Sequence, residues 1–302
     1  MTAFKKMLVP PDFPDYSDYA LRYANAFAKM SGGTIECVHV VDTTFLGDGG
    51  GVYVSSADIA RSVEAVKAQA EKELSHFVRK ERLLGTEVTP HLREGHAAEQ
   101  IVKLAEEIKA DLLIIQTHGR SGLDHLVFGS TCDKVLRSAT VPVLAVKQDE
   151  HEALSKDGTL AIKNVLCPLD FSTFSHGALP LAKEICEKFG ATMHLSHIVD
   201  TRFDYPEWTA QVAMNNSEHL LSAAKESLEK TAKEMGGIKT QTDATVGVPH
   251  KTLIDATANN QIDLVVLPTH GRKGIVHALL GSVAERVVRG AHCPVLVVRP
   301  KS

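Results

Sequence analysis

Residues 110–120 read ADLLIIQTHGR and residues 262–272 read IDLVVLPTHGR. In each, an acidic residue opens a near-continuous apolar run that stops at threonine, histidine and glycine. A short aliphatic run bounded by turn formers predicts a strand buried on both faces, which is the kind that parallel sheets use. Such a sheet needs helices over both faces, so strands and helices should alternate to either side of the quoted segments.

They do. Upstream, KMLVPPD and TIECVHVVD read as strands, with helical spacing between them in YSDYALRYANAFAKMSGG, which ends at a glycine pair. A long helix is expected over residues 56–81, a third strand in TEVTPHLREG and a helix in HAAEQIVKLAEEIKA. Downstream come a helix near 130–138 and a last strand in PVLAVK. The fold class is therefore α/β, an open, doubly wound, Rossmann-like parallel sheet of five strands with right-handed crossovers.

The whole pattern occurs twice. KKMLVPPDFPDYSDYAL begins at Lys5 and KNVLCPLDFSTFSHGAL at Lys163, an offset of 158, and HVVD at His39 recurs as HIVD at His197. The quoted segments are offset by 152, so the first copy carries an insertion of six residues, placed at the glycine-rich FLGDGGGVY. A polar stretch, QDEHEALSKDGTL, separates the copies. The expected organisation is a first domain over 1–148, a linker over 149–160 and a second domain over 161–302.

Composition narrows the function classes. The 302 residues are 44% hydrophobic and 23% charged, enough for two cores, and the formal charge of −4 offers no basic footprint for nucleic acid. No apolar run reaches the ~18–20 residues of a membrane span, and MTAFKKMLVP leads into a strand instead of a leader core, so a cytoplasmic location is expected. Five cysteines without a C-x-x-C pair read as reduced core residues.

The chemistry is expected after the buried strand, because open α/β sheets bind ligands beyond the carboxyl ends of their strands. Gly119, Gly122 and Gly129 recur as Gly271, Gly274 and Gly281; chance recurrence of three glycines at ~7% usage is roughly 3 in 10,000. The recurrence establishes duplication and suggests a retained ligand site. Gly129-Ser130 and Gly281-Ser282 fall where helices begin, where glycine permits positive φ and close approach, free N–H groups suit an anion, and the serine either caps the helix or donates to a phosphate. No P-loop and no G-x-G-x-x-G fingerprint is present. The recurring His118, His270, His125 and His277 are read as packing residues, and His194 and His197, three apart on a strand, as facing opposite ways. Arg120 and Arg272 are either phosphate clamps or solvated loop residues.

LVPPDF with LCPLDF, HVVD with HIVD, THGR followed by Gly129-Ser130 or Gly281-Ser282, and the final PVLxV strands resemble, in combination and over both halves, the universal stress protein family. Its nucleotide-binding members carry G-x-x-G-x9-G-[ST] and hold adenosine at the ends of strands one, two and four. The resemblance implies a site at Pro10, Asp12, Val40, Gln116, Gly119, Arg120, Gly129, Ser130 and Thr131, and a second at Pro168, Asp170, Ile198, Pro268, Gly271, Arg272, Gly281, Ser282 and Val283. Gln116 and Pro268 stand where the family has its first glycine, and GSVAERV of the second copy matches the family better than the first copy's GSTCDKV. The implied ligand is ATP, AMP or ADP, with Mg2+ as companion ion. The implied role is regulatory or protective in a stress response, without catalysis; the two halves would pack as a pseudo-dimer through PVLAVK and PVLVVR, as single-domain relatives pair, and a protein partner or a homodimer is compatible with it. The alternatives are a slow ATPase in the same pocket and a scaffold that binds no nucleotide.

Overall fold

The computed structural model describes residues 4–11, 19–42, 56–83, 87–117, 129–147, 153–155, 158–200, 210–259, 261–269 and 280–299. The chain divides into two compact units, residues 2–144 and residues 145–302, the boundary falling inside the last strand of the first repeat, which is counted below with the first unit.

The first unit runs β1 (Lys6–Val9), α1 (Tyr19–Ser31), β2 (Thr34–Val41), α2 (Ser56–Leu83), β3 (Val88–Glu94), α3 (Ala97–Glu107), β4 (Leu112–Gln116), α4 (Ser130–Ser138) and β5 (Val143–Val146). The second repeats it as β6 (Asn164–Pro168), α5 (Thr173–Phe189), β7 (Thr192–Val199), α6 (Ala210–Met235), β8 (Lys239–Val246), α7 (Pro249–Asn259), β9 (Leu264–Pro268), α8 (Ser282–Gly290) and β10 (Val295–Val298). The strand order is β3-β2-β1-β4-β5 in one unit and β8-β7-β6-β9-β10 in the other. The pairs β1–β2, β1–β4, β2–β3, β6–β7, β6–β9, β7–β8 and β9–β10 are parallel. The expected doubly wound architecture is what forms, once per half.

The central strands are apolar because both of their faces are covered. Met7, Leu8, Leu112, Leu113 and Ile114 are fully buried, as are Val165 and Val265; burying each such side chain contributes about 1.5–3 kcal/mol. Right-handed crossovers put α1 and α2 on one face and α3 and α4 on the other, and α3 packs against α4 as α7 does against α8. The six-residue difference lies between the second and third strands of each half, since β2 and β7 are offset by 158 and the residues aligned from β3 onward by 152. FLGDGGGVY itself lies outside the described residues.

The acid that opens each quoted segment ties the sheet at its lower end. Asp111 Oδ2 accepts from the Lys5 and Lys6 amides at 2.9 Å each, and Asp263 Oδ2 accepts from Lys163 and Asn164 at 2.7 and 2.8 Å. Asp263 is buried and Asp111 exposed. Between the units' sheets in sequence, the stretch expected to be a polar linker holds a small hairpin. Leu154 and Leu160 form an antiparallel bridge, both are buried, and Gly158 makes the turn at φ 78.

All five cysteines are buried and none forms a disulfide. Burial pushes the Cys186 thiol up to about 12 and those of Cys132 and Cys167 also well up, which makes them packing groups and poor nucleophiles. His194, half-buried on β7 with Nε2 3.0 Å from Asn164 Oδ1, has its pKa lowered by burial.

Two outcomes follow. Asp263→Ala removes a buried carboxylate that accepts from two part-buried amides and should cost about 2–4 kcal/mol, more than Asp111→Ala at the exposed equivalent, as read from urea denaturation midpoints by circular dichroism. For His194, the unfolded chain takes up a proton near 6.5 before the folded one does. Its contribution to stability is therefore complete above ~6.5 and is lost as pH falls from there through the lower folded value. His194→Gln should flatten the drop in melting temperature between pH 7 and 5; an unchanged drop would exclude this assignment.

Candidate functional site

In both units the first and fourth strands are neighbours through which the winding direction reverses, and this reversal places the candidate site. From β1 the chain leaves toward α1 on one face; from β4 it leaves toward α4 on the other. A crevice is the geometric result.

The strand registers show how the crevice opens. β1 stays paired with β2 up to Val9 opposite Cys37, but with β4 it pairs only through Met7–Leu112 and Leu8–Leu113. The second unit does the same: β6 pairs with β7 up to Pro168 opposite Ser196, but with β9 only through Val165–Leu264 and Leu166–Val265. The first and fourth strands thus part before their carboxyl ends. This explains how proline is tolerated at the end of an interior strand. Pro268 lies beyond the last β6 pair, and its ladder on the other side continues through the Thr269 amide, which donates to Val298 O at 2.9 Å.

Beyond the parted strands stands a helix start. The Gly129 amide donates to Thr117 O at 2.7 Å, and the Gly281 amide to Thr269 O, also at 2.7 Å. Thr117 and Gly129, and likewise Thr269 and Gly281, are therefore held together as a neck although 11 residues separate each pair in the sequence. Thr117 and Thr269 are buried at that neck. Neither threonine stands out by residue type; their recurrence in register, THGR at 117 and at 269, is the signal that the sequence offers for them.

The helix caps correct two expectations. Gly129 and Gly281 are themselves the N-caps, at φ −61 and φ −60, so neither position uses positive φ. Ser130 and Ser282 are the first helical residues and are exposed, and no side chain caps either helix at its N-cap. The reason is that an N-cap takes extended backbone and accepts glycine nearly as well as serine. A glycine cap leaves first-turn N–H groups without a side-chain acceptor from the cap, where an anion gains ~0.3–2 kcal/mol from the helix terminus. The first-turn acids do not cancel this, since Asp133 is held by Arg137 at 2.9 and 3.1 Å and Glu285 by Arg289 at 3.0 Å.

The remaining implied residues distribute as follows. Pro10 follows β1, Val40 is the penultimate residue of β2 and Gln116 ends β4; Pro168 ends β6, Ile198 is penultimate in β7 and Pro268 ends β9. All of them lie at the carboxyl ends of adjacent strands, beside the helix starts that carry Thr131 and Val283. Asp12, Gly119, Arg120, Gly271 and Arg272 lie outside the described residues, as do His118, His125, His270 and His277.

Asp170 is described, and its surroundings hold what the sequence did not reveal. Asp170 Oδ1 accepts from the Ser172 amide at 3.0 Å and from Ser172 Oγ at 2.6 Å, while Ser172 caps α5 by accepting from the Ser175 amide. Between them Phe171 adopts φ 60, a left-handed backbone that costs a bulky residue about 1–3 kcal/mol. Its ring stacks on His197 with centroids 4.5 Å apart and planes at 28°. His197 Nδ1–H donates to Leu169 O at 2.6 Å. His194 and His197 do go to separate partners, as their spacing implied.

Among the described residues no group of three or more His, Cys, Asp or Glu side chains could hold a metal ion, and no helix is long and apolar enough to cross a membrane.

Comparison with known proteins agrees with the geometry. The profile of the universal stress protein family matches residues 3–147 and again 161–299. A universal stress protein of Methanocaldococcus jannaschii is 34% identical over 160 residues, 52% of this chain and 94% of that protein. One from Mycolicibacterium smegmatis is 27% identical over 301 residues, 98% of this chain and 97% of the relative. A universal stress protein structure from Archaeoglobus fulgidus shares the fold, with a TM-score of 0.68 at 21% identity over 98% of this chain and 99% of that one. With the family profile matched once in each half and one relative matched along nearly its whole length, the chain belongs to the universal stress protein family, as a tandem member.

Proposed function

We propose that each half binds an adenine nucleotide, ATP or its ADP or AMP form, in the crevice between its first and fourth strands, and that the loaded protein acts as a regulatory or protective factor under stress, without catalysis. The halves are taken as residues 1–148 and 161–302. The observation that carries the reading is the neck closed from Gly129 to Thr117 and from Gly281 to Thr269. It supports phosphate binding because it seats an open helix start at the end of the fourth strand, with the exposed Ser130 and Ser282 hydroxyls beside it.

Adenosine would lie over the ends of the first two strands, against Pro10 and Val40 or Pro168 and Ile198. Asp12 or Asp170 would accept from the base or ribose. Gly119 with Arg120, and Gly271 with Arg272, would face the phosphates from the loop, and Gln116 or Pro268 would offer packing or a carbonyl. Mg2+ would arrive on the phosphates, since that ion keeps most of its waters and needs few protein carboxylates.

A few charge-assisted bonds at ~1.5–3 kcal/mol each, less the cost of ordering the ligand, place the dissociation constant between roughly micromolar and millimolar. Titration of the full chain with labelled ATP should saturate within that range. Asp170→Ala should weaken one class of site by roughly 10–100-fold, and phosphate release should stay at the rate in buffer. Absence of saturable binding at millimolar ATP overturns the proposal in favour of a scaffold role; release above the buffer rate that falls in Asp12→Ala or Asp170→Ala overturns the non-catalytic reading.

A further inference from the structure

We infer that Phe171 and His197 form a latch that presets the Asp170 carboxylate, and that this latch makes the second half the tighter nucleotide site; the inference rests on the nucleotide reading above.

Asp170 sits on a short connection between the end of β6 and the start of α5, and that connection is fastened to β7 at three successive places. The Leu169 amide donates to Ser196 O at 2.8 Å, Leu169 O accepts from His197 Nδ1–H at 2.6 Å, and the Phe171 ring lies on the His197 ring. His197 is buried, so the surface against which Phe171 rests is fixed by the sheet. The left-handed turn at Phe171 then swings Ser172 back, and its amide and hydroxyl both bond Asp170 Oδ1. Two bonds to one oxygen fix the plane of the carboxylate. A bulky residue holds positive φ only where its surroundings over-determine it, and here the stack does so. The consequence is a carboxylate oriented before any ligand arrives, which reduces the ordering cost of binding.

The repeat supplies an internal contrast. At the offset of 158, Phe13 and His39 stand where Phe171 and His197 do, but Pro14 stands where Ser172 does. Proline has no amide hydrogen and no hydroxyl, so the first half cannot make either bond to Asp12 from that position. Only the second half carries the complete set.

The test uses the full chain with Asp12→Ala, so that tight ATP binding is read at the second half, and compares ATP with inorganic tripolyphosphate, which lacks the base and ribose that Asp170 would read and so reports the phosphate-facing helix starts of both halves. Calorimetric titration of Phe171→Ala should show ATP weakened about ten-fold and tripolyphosphate within about two-fold of the Phe171 parent. Phe171→Tyr keeps a stacking ring and should restore both values. Equal ATP affinity in Phe171→Ala, or equal weakening of both ligands, overturns the latch while leaving the nucleotide reading in place. A Phe171 parent that binds tripolyphosphate but no ATP, or neither, overturns both.

Discussion

One backbone hydrogen bond, made twice, sets the position of everything at the functional end of this protein. By joining the Gly129 amide to Thr117 O and the Gly281 amide to Thr269 O, it fixes the start of the following helix to the end of the fourth strand. The helix that follows then starts beside the strand end and is aimed at the crevice. Its glycine cap leaves no side chain between the first-turn amides and whatever enters. Without that neck, the recurring glycines would be only flexible residues.

The second constraint is the parting of the first and fourth strands. Parallel pairing would zip them further, but only two residue pairs form in each half, whereas the outer ladders run on toward the strand ends. The helices lie on opposite faces of the sheet, so extending the ladder would close the space between the two strand ends. Pro268 fits this geometry, because a residue without an amide hydrogen costs least where no partner faces it. The proline that looks like a departure from the family pattern is thus accommodated by the sheet itself.

Much of this was legible in the sequence because the signals were local or duplicated. The run LLIIQ gave β4, helical spacing after Gly-Ser gave α4 at 130–138, and the offsets of 158 and 152 gave the two-unit organisation. What the chain concealed was non-local or turned on a single position. Serine is a preferred cap, so Ser130 and Ser282 looked like caps, yet glycine one residue earlier took that place. Phe171 shows no composition or spacing that marks positive φ, since its conformation depends on a histidine 26 residues away in the next strand. The residues 149–160 read as polar linker, because two leucines six apart in QDEHEALSKDGTL make no periodic signal; the hairpin between Leu154 and Leu160 buries them all the same.

Each half presents a glycine-capped helix start beside the parted ends of its first and fourth strands, and the proposed ligand there is an adenine nucleotide. Native mass spectrometry of the protein purified without added nucleotide, and again after incubation with millimolar ATP, tests it most directly. The account expects a mass increment of one or two adenine nucleotides per chain, lost on mild denaturation. A bare chain under both conditions, with the fold intact by circular dichroism, would contradict it.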